Sequence, residues 1–323
     1  MGHLTRQIDI ANELKKLNYN IIFLSKNYPE GILLLEESQF EIIKLSTEYQ
    51  TINDSIQEIN EVLNSYNKIF DFIILDLFED FDNQEYLNNL KLFCSKLFVL
   101  SDEPKQFYIQ VNAVFAFSEN QESFNYNNLR TKYYTGLKYF PLHSKFQEVP
   151  KKKVNKKVSK VLITFGGSDP NNFSGKLVSS LKQLDLNVIY TLILGAGYSK
   201  ENYHDIMREK FDNLIIKTNI KNMNEYLIET DICICSAGNT VIEALVCGVP
   251  CIVLPQTKLE SERAKALEKK QLIINKGLEF TTKRLITVIN NLLSDYSLRK
   301  KLSKNAQNYL DGKGIKRIVN IIS

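Results

Sequence analysis

The sequence predicts two α/β domains, each with a parallel sheet covered by helices. The chain has 323 residues, which is too long for one ordinary core and suits two domains of about 150 residues each. Short apolar runs alternate with segments of helical periodicity, as in Rossmann-like folds. This alternation starts again after a basic run at residues 151–157, which we interpret as a solvated linker. We therefore expect an N-terminal domain over 1–150, a C-terminal domain over 158–305 and a closing segment over 306–323.

In the first half, residues 4–17 carry apolar side chains at helical spacing, and residues 55–67 also have a helical pattern. Short apolar runs predict strands at 21–24, 40–45, 72–76 and 97–102. The last two of these runs end in an acid, Asp76 and Asp102. Buried parallel strands often meet their loops in this way.

The first half departs from the doubly wound pattern at its beginning. Such a domain normally begins with a strand, but this sequence opens on a helix-like segment directly after Met1-Gly2-His3. The first strand of the N-terminal domain is missing either because the true start lies upstream or because the first half does without its central strand, and we expect a lost or misassigned start. Without that strand an apolar slot stands open in the sheet, at a cost of several kcal/mol in apolar burial.

The second half repeats the alternation from residue 160 onward. A strand at 160–165 is followed by a glycine-rich turn and by a helix that ends at Leu181. Further apolar runs predict strands at 188–194, 214–216, 232–235 and 251–254.

Charge and cysteine content argue against several classes of function. Lysine and arginine outnumber acids by 41 to 37, and this net charge of +4 is too small to indicate nucleic acid. The five cysteines lack the paired spacing of a zinc site, and we interpret them as buried, reduced thiols of a cytoplasmic protein. We find no apolar run long enough for a membrane span and no signal peptide, so we expect no stable membrane association.

Three loops lie where α/β proteins bind ligands, at the carboxyl ends of strands. The first is Gly2–Arg6, which opens the first helix. A helix N-terminus favours anions, and glycine allows a ligand to approach closely. His3 is either a catalytic base or a residue without a catalytic role, and Arg6 is a candidate for binding phosphate or for orienting His3.

The second loop, Phe165–Asp169, places two glycines directly after a strand. Glycine permits the positive φ of a tight turn into a helix. One interpretation is a simple turn in which Asp169 or Asn171 caps the helix. The other is a contact with phosphate or sugar.

The third loop leads from Cys235 into a helix that contains Glu243. Free amides of Gly238, Asn239 and Thr240 would form an anion pocket for a diphosphate, and Glu243 could accept both hydroxyls of a ribose. The alternative is a capping box, with Asn239 or Thr240 as the cap and Glu243 reaching back. The loop lacks the Gly-Lys-Ser/Thr ending of a Walker loop.

These motifs resemble those of the UDP-sugar hydrolases of the pseudaminic acid pathway and the related spore-coat polysaccharide proteins, in the GT-B-like superfamily. Met1–Arg6 resembles the last six residues of the family's opening Gly-x-Gly-His-x-x-Arg motif. Gly166–Asp169 resembles its Gly-Gly-Ser-Asp signature, and Ser236–Glu243 resembles its nucleotide-binding segment. Asp311–Ile318 resembles its closing helix, which returns to the N-terminal domain. The resemblance covers nearly the whole chain.

The resemblance implies a GT-B-like fold, with two Rossmann-like domains and a cleft between them. It also implies that the C-terminal domain binds UDP and that His3 is the catalytic base. Members of the family often carry an Asn-Gln pair near the reacting sugar, and this sequence departs from the family at that position. Lys258 and Leu259 stand there, and Gln256 is the candidate replacement. The predicted substrate-binding residues are Arg6, Asp76, Gly166, Gly167, Ser168, Ser236, Ala237, Gly238, Asn239, Thr240, Glu243, Gln256 and Lys258.

We expect a hydrolase that releases UDP from a UDP-linked 2,4-diacetamido-2,4,6-trideoxy sugar by attack of a His3-activated water. Helix-terminal amides would stabilise the departing diphosphate, so neither a cofactor nor a metal is predicted. One alternative is a GT-B-type glycosyltransferase, which would require a membrane-facing patch. The apolar run Gly31–Leu35 is the nearest candidate for that patch and could equally be core. A non-catalytic UDP-sugar-binding module is the third possibility, and the oligomeric state stays open.

Overall fold

The computed structural model describes residues 2–48, 55–76, 84–102, 111–119, 131–184, 187–218, 220 and 222–323. The chain divides into two compact units: unit 1 is Met1–Ser144 with Lys313–Ser323, and unit 2 is Lys145–Gly312. Unit 2 thus begins before the predicted linker, because Lys152 is anchored in it. The Lys152 ammonium donates to the carbonyl oxygens of Ile228, at 2.7 Å, and Thr230.

Unit 1 alternates helices and strands. Its helices are α1 (Gly2–Lys15), α2 (Pro29–Glu37), α3 (Ile56–Ser65), α4 (Gln84–Lys91) and α12 (Gly314–Ile322). Its strands are β1 (Ile22–Lys26), β2 (Glu41–Leu45), β3 (Phe70–Leu75), β4 (Cys94–Ser101), β5 (Ala113–Ala116) and β6 (Lys132–Thr135). Helix α12 packs on α1 and on the short 3-10 turn Leu137–Tyr139.

The strands of unit 1 form two separate parallel sheets. Strand β1 pairs with β2, and the other sheet has the order β3-β4-β5-β6. Among the described residues no ladder joins β1 to β3. A cavity of about 570 Å³ lies between these two strands, with walls that are largely apolar. The open slot that the sequence predicts is therefore present.

The core of unit 1 lies where strands are covered on both faces. Val99, Val114 and Phe115, on β4 and β5, are fully buried, as expected for strands of a parallel sheet. The apolar run Gly31–Leu35 lies within α2, which begins with Pro29 at its first turn. This helix buries Gly31, Ile32 and Leu35. The run therefore contributes to the core, although Leu33 is exposed.

Unit 2 is a single six-stranded sheet surrounded by helices. Its helices are α5 (Phe173–Leu181), α6 (Lys200–Arg208), α7 (Met223–Glu229), α8 (Asn239–Val246), α9 (Lys258–Lys269), α10 (Thr282–Ser294) and α11 (Tyr296–Tyr309). Its strands are β7 (Lys160–Thr164), β8 (Ile189–Leu194), β9 (Leu214–Thr218), β10 (Ile232–Cys235), β11 (Cys251–Val253) and β12 (Ile274–Asn275).

The strand order of unit 2 fixes where a ligand can bind. All six strands are parallel, in the order β12-β11-β10-β7-β8-β9. The chain runs from β7 outward to β9, returns to β10 beside β7, and then runs outward the other way. Ligands of open α/β sheets bind at such a reversal, outside the carboxyl ends of the two adjacent strands. Here that position lies between the loops after β7 and β10.

In the described part of the chain, no helix is both long enough and apolar enough to cross a membrane.

Candidate functional site

His3 of unit 1 is held by an acid at the end of a neighbouring strand. It lies in the first turn of α1, and its Nδ1 is 2.7 Å from Oδ1 of Asp76, the residue that follows β3. The imidazole is 30% exposed, whereas the Asp76 side chain is 2% exposed. His3 therefore keeps access to solvent while its partner is fixed in the interior.

Arg6 connects the two strand-ending acids of unit 1. Its Nε lies 2.7 Å from Oδ2 of Asp76, its Nη2 also bonds Asp76, and its Nη1 lies 2.9 Å from Oδ1 of Asp102. The guanidinium packs over the ring of Phe117, 5.3 Å from its centroid. Burial opposes the charge of Arg6, but the two carboxylates outweigh it and raise the pKa of Arg6.

Asp76 stays ionised in spite of its burial. Burial alone would raise its pKa, but hydrogen bonds from Arg6, His3 and Gln7 outweigh burial and lower it. Gln7 donates its amide to Oδ2 of Asp76 at 2.9 Å. When Nδ1 of His3 donates to this carboxylate, Nε2 presents the lone pair that can accept a proton. The Nε2 atom lies 3.8 Å from Oδ2 of Asp102.

The loop after β7 is a glycine turn that the loop after β8 holds in place. Gly166 has φ +82°, which only glycine adopts readily, and Gly167 and Ser168 are exposed. Gly195, after β8, approaches so closely that a Cβ there would lie 2.5 Å from both Cα and O of Gly167. The Gly197 amide donates to the Gly167 carbonyl at 2.9 Å. These contacts fix the shape of the loop.

Asp169 has a structural role at the end of this loop. Its fully buried carboxylate accepts the amides of Phe173, at 2.9 Å, and Ser174, at 2.8 Å. The N-cap of α5 is Asn172, not Asp169 or Asn171, and it accepts the amide of Gly175 at 3.1 Å. Asp169 thus satisfies the first-turn amides of α5 from outside the cap position.

The loop after β10 leads into a helix without a side-chain cap. The N-cap of α8 is Gly238, and no side chain accepts a hydrogen bond at this cap. The alternative of a capping box at Asn239 or Thr240 is wrong, because the cap falls one residue earlier. The third helical position is then Val241, which has no acceptor. Amides in the first turn of α8 are thereby available to an anion.

Glu243 lies one turn into α8, beside this loop. Burial raises the pKa of Glu243 to about 7, with a smaller contribution from Cys233. Ser236 and Ala237 are buried beneath the loop, whereas Asn239 is exposed. A carboxyl with a pKa of about 7 in this position can accept hydrogen bonds from a diol, which would favour its ionised form.

Two residues of α9 that the sequence analysis did not select hold this loop in place. Glu260 accepts the amides of Gln256, at 2.7 Å, and Ala237, at 3.3 Å. Arg263, three residues later on α9, donates to the Ala237 carbonyl at 3.0 Å. Only their spacing, one turn apart in a polar helix after a strand, could have indicated them.

Gln256, in the loop after β11, bonds the loop after β7. Its amide nitrogen donates to the carbonyl of Phe165 at 2.8 Å, while its Oε1 is buried and has no hydrogen-bond partner among the described residues. Gln256 therefore positions the loop after β7. Lys258, the first residue of α9, is exposed. The three loops of unit 2 thus meet at one edge of its sheet.

Three cysteines of unit 2 are the described residues that come closest to a metal-ligand set. The thiols of Cys233, Cys235 and Cys251 lie within 4.8 Å of one another and are fully buried. Strand pairing brings the Cys251 thiol to the other two, since Cys251 lies beside Cys233 in the β10-β11 ladder. All five cysteines are free thiols, and Cys94 alone is not fully buried. The chain also has an Asp-x-Asp triplet, Asp80-Phe81-Asp82, outside the described residues.

One known family is similar to the C-terminal half of the chain. Residues 161–318 match the glycosyltransferase family 28 C-terminal domain. The match runs from within β7 into α12 and therefore includes the glycine turn, the uncapped helix and Glu243.

Curated relatives cover different shares of this chain. An uncharacterised protein of Methanocaldococcus jannaschii is 33% identical over 277 residues, which are 81% of this chain. The chain spans about half of that relative's length, 54%. The spore coat polysaccharide biosynthesis protein SpsG of Bacillus subtilis is 26% identical over 100% of this chain and 94% of its own length.

The solved structures establish the fold. The crystal structure of MurG from Acinetobacter baumannii superposes with a TM-score of 0.74 at 14% identity, over 99% of this chain and 96% of MurG. The chain therefore has a GT-B-like fold of two Rossmann-like domains, as the sequence predicted.

Proposed function

We propose that this protein is a nucleotide-sugar hydrolase that releases UDP, with unit 2 binding the nucleotide and His3 of unit 1 activating the attacking water. The main observation in support is the uncapped N-terminus of α8 at the strand reversal of unit 2, with Glu243 one turn away. A diphosphate needs several donors and a ribose needs an acceptor, and this loop offers both.

The nucleotide would occupy the loop that the family 28 match includes. The first-turn amides of α8 would donate hydrogen bonds to the diphosphate oxygens, and the ionised Glu243 carboxylate would accept hydrogen bonds from the ribose hydroxyls. Gly166, Gly167 and Ser168 would contact the phosphate or sugar from the loop after β7. The family match to residues 161–318 and the likeness to SpsG support a nucleotide-sugar substrate.

In the proposed reaction, Nε2 of His3 removes a proton from water while the water oxygen bonds the anomeric carbon. The bond from that carbon to the diphosphate oxygen breaks, and UDP leaves with the electron pair. The Asp76 carboxylate stabilises the imidazolium that forms, and Arg6 keeps this carboxylate ionised and oriented. Amides in the first turn of α8 stabilise the departing charge.

The sugar is proposed from the sequence resemblance alone. A 2,4-diacetamido-2,4,6-trideoxy sugar is the substrate class of the hydrolases that the motifs resemble. The likeness to a spore coat polysaccharide biosynthesis protein supports a place in surface-sugar synthesis.

A glycosyltransferase is the second candidate, and the match to glycosyltransferase family 28 favours it. The same His3 would then deprotonate an acceptor hydroxyl instead of water. Nucleotide binding would be unchanged, so only the identity of the attacking group separates the two candidates.

The test follows UDP release from a UDP-diacetamido sugar in oxygen-18 water, without an added acceptor. Replacing His3 by Phe is expected to lower turnover by about 10²–10⁴-fold, the usual contribution of a general base, and to leave the Kd for UDP unchanged. Glu243→Ala is expected to weaken UDP binding by about 1–3 kcal/mol in calorimetry. The control is His204→Asn, because His204 is an exposed histidine of α6.

Each outcome separates the candidates. One oxygen-18 atom in the released sugar supports the hydrolase. UDP release that requires an acceptor contradicts the hydrolase and favours the transferase. Failure to bind UDP contradicts both. Full turnover with His3→Phe would mean that the base lies elsewhere, with Asp76 or Asp102 as the next candidate. An added chelator tests the predicted independence from metal, in view of the triplet Asp80-Phe81-Asp82.

A further inference from the structure

Three cysteines of unit 2 share one face of its sheet. Cys233 and Cys235 are two residues apart in β10, so their side chains point to the same side, and Cys251 of β11 is the register partner of Cys233. The residues that alternate with them, Ile234 and Ile252, pack with α5 and α10 in the core on the opposite face. The three cysteines therefore point toward α8, which packs on both strands.

The three thiols are arranged around a common point. Their sulfur atoms all lie within 4.8 Å of one another, and all three residues are fully buried. A central atom can therefore lie within about 2.8 Å of every sulfur, which is close to a metal–thiolate bond of about 2.3 Å. Small rotations about the Cα–Cβ bonds would close the difference.

Packing or a disulfide would use only part of this arrangement. A buried cysteine can act as a small apolar residue, and the Cys251 thiol also donates to the Val249 carbonyl at 3.1 Å. Packing alone, however, gives no reason for three sulfurs to converge on one point. A disulfide would join two of the sulfurs and leave the third without a partner. A metal ion uses all three sulfurs at once.

The ligand set favours one kind of metal ion. Thiolates select copper(I), zinc and iron–sulfur clusters. Structural zinc is almost always four-coordinate, and no fourth histidine, cysteine, aspartate or glutamate of the described chain joins the three within the same distance. Iron–sulfur clusters are held by four cysteines. Copper(I) accepts three sulfur ligands and needs no water, which suits a fully buried set.

The thiol cluster lies next to the loop after β10. Cys235 is the last residue of β10 and directly precedes Ser236. From α9, Glu260 accepts the Ala237 amide and Arg263 donates to the Ala237 carbonyl, so side-chain contacts hold this loop over the strand end. Opening of the loop would give an ion a route to the thiols.

We propose that Cys233, Cys235 and Cys251 form a three-coordinate thiolate site for one copper(I) ion, which would tie β10 to β11 beneath the loop after β10. The site is separate from the proposed hydrolase reaction, because no step of that reaction passes through these thiols.

The test titrates the reduced 323-residue chain, under exclusion of oxygen, with copper(I) supplied as its bicinchoninate complex. The chain is expected to take up one copper(I) ion, and X-ray absorption should show three sulfur neighbours at about 2.3 Å. The Tm should rise by several degrees, because the complete ligand set exists only in the folded chain. Zinc(II) is titrated in parallel and should bind more weakly than copper(I).

Cysteine variants assign the ligands. Replacing Cys233, Cys235 or Cys251 by alanine, which keeps a small apolar side chain, is expected to lower the affinity for copper(I) at least about 100-fold. Cys247→Ala is the matched control, since Cys247 is a buried cysteine of the same unit outside the cluster, and Cys94→Ala is the control in unit 1. Both controls should leave the affinity unchanged.

Several results would overturn the proposal. One is that neither the native chain nor the chain refolded with the complex takes copper(I) from bicinchoninate. Others are binding that survives all three alanine replacements, tighter binding of zinc(II) than of copper(I), and a nitrogen or oxygen neighbour in the absorption spectrum. Should an alanine variant fail to fold, the serine variant at the same position replaces it, and the spectrum of the unchanged chain still tests the ligand set.

Discussion

The two units of this chain have related strand orders but differ at one position of the sheet. In unit 2 the central strand β7 pairs on both sides, and the six strands form one sheet. In unit 1 the strands on either side of the equivalent position are separated by a cavity of about 570 Å³. The comparison shows that a Rossmann-like unit can keep its strand order on both sides of a position that no described strand occupies.

The candidate sites of the two units also use different chemistry. Unit 2 relies on backbone: a glycine turn, an uncapped helix and close contacts between loops. Unit 1 relies on side-chain charge, since Arg6 and Asp76 are buried and bond each other, Arg6 also bonds Asp102, and Asp76 also bonds His3. The site of unit 2 should therefore be disturbed by side-chain volume added to its loops, and the site of unit 1 should be disturbed by the loss of a charged side chain.

The largest effect is expected from breaking the buried charge pair of unit 1. Asp76→Ala leaves the Arg6 guanidinium buried with its main partner removed, and this should cost about 3–5 kcal/mol of unfolding free energy. Chemical denaturation measures it. Asp102→Ala is the control, because the Asp102 side chain is 39% exposed and its loss should cost no more than about 1 kcal/mol. Equal effects of the two variants would contradict the role of buried charge.

The second prediction concerns pH and the one strongly shifted acid beside the unit 2 loops. The pKa of Glu243 is about 7 in the folded chain against 4.5 for an ordinary glutamate, so the folded state holds a proton that the unfolded state releases. The stabilisation that this proton gives the folded state is fully present below a pH of about 4.5 and is lost as the pH rises through about 7. Wild type should therefore lose about 1–3 kcal/mol relative to Glu243→Gln between these limits.

Thermal unfolding at pH 4.5 and pH 8 measures this difference. Glu262→Gln is the matched control, since Glu262 is an exposed acid of α9 and should show no such trend. Saturating UDP should reduce the trend in wild type, because ribose hydroxyls favour the ionised carboxylate. A constant difference between wild type and Glu243→Gln across this pH range would contradict the burial of Glu243.

The smallest effect is expected from a methyl group added to the loops of unit 2. Gly195→Ala places a Cβ 2.5 Å from Gly167, so the loop after β7 must move, at about 1–2 kcal/mol and with weaker UDP binding. Gly167→Ala is the matched variant, because a Cβ there meets nothing within 4 Å. It should leave stability nearly unchanged, and any loss of UDP affinity would then report a ligand contact. Calorimetry with UDP and thermal unfolding distinguish the two.

Sequence reasoning found the elements whose pattern is long and uniform. The apolar runs that end in Asp76 and Asp102 are β3 and β4, and the glycines after β7 form the expected turn with positive φ at Gly166. It missed β5 and β6, which have four residues each, because such short runs resemble loop sequence. It also left the apolar run Gly31–Leu35 unresolved, since only packing shows which side is buried.

The same limit applies to the side chains of the site. His3, Arg6 and Asp76 were chosen from a loop motif and a strand end, yet nothing local indicates that Arg6 bonds acids 70 and 96 residues away. Gln7, Glu260 and Arg263 have no motif of their own. Their roles follow from atoms that lie far apart in the sequence.

The sequence by itself determined the two α/β halves, the glycine turn, the loop before α8 and the expectation of an open slot. These features depend on periodicity and on local backbone chemistry, which neighbouring residues encode. Tertiary structure decided that Gly238 is the cap of α8, that Asp169 bonds the first turn of α5, that burial raises the pKa of Glu243, and that β1 and β3 face a common cavity. Each of these depends on burial and on contacts between distant segments, which exist only once the chain has packed.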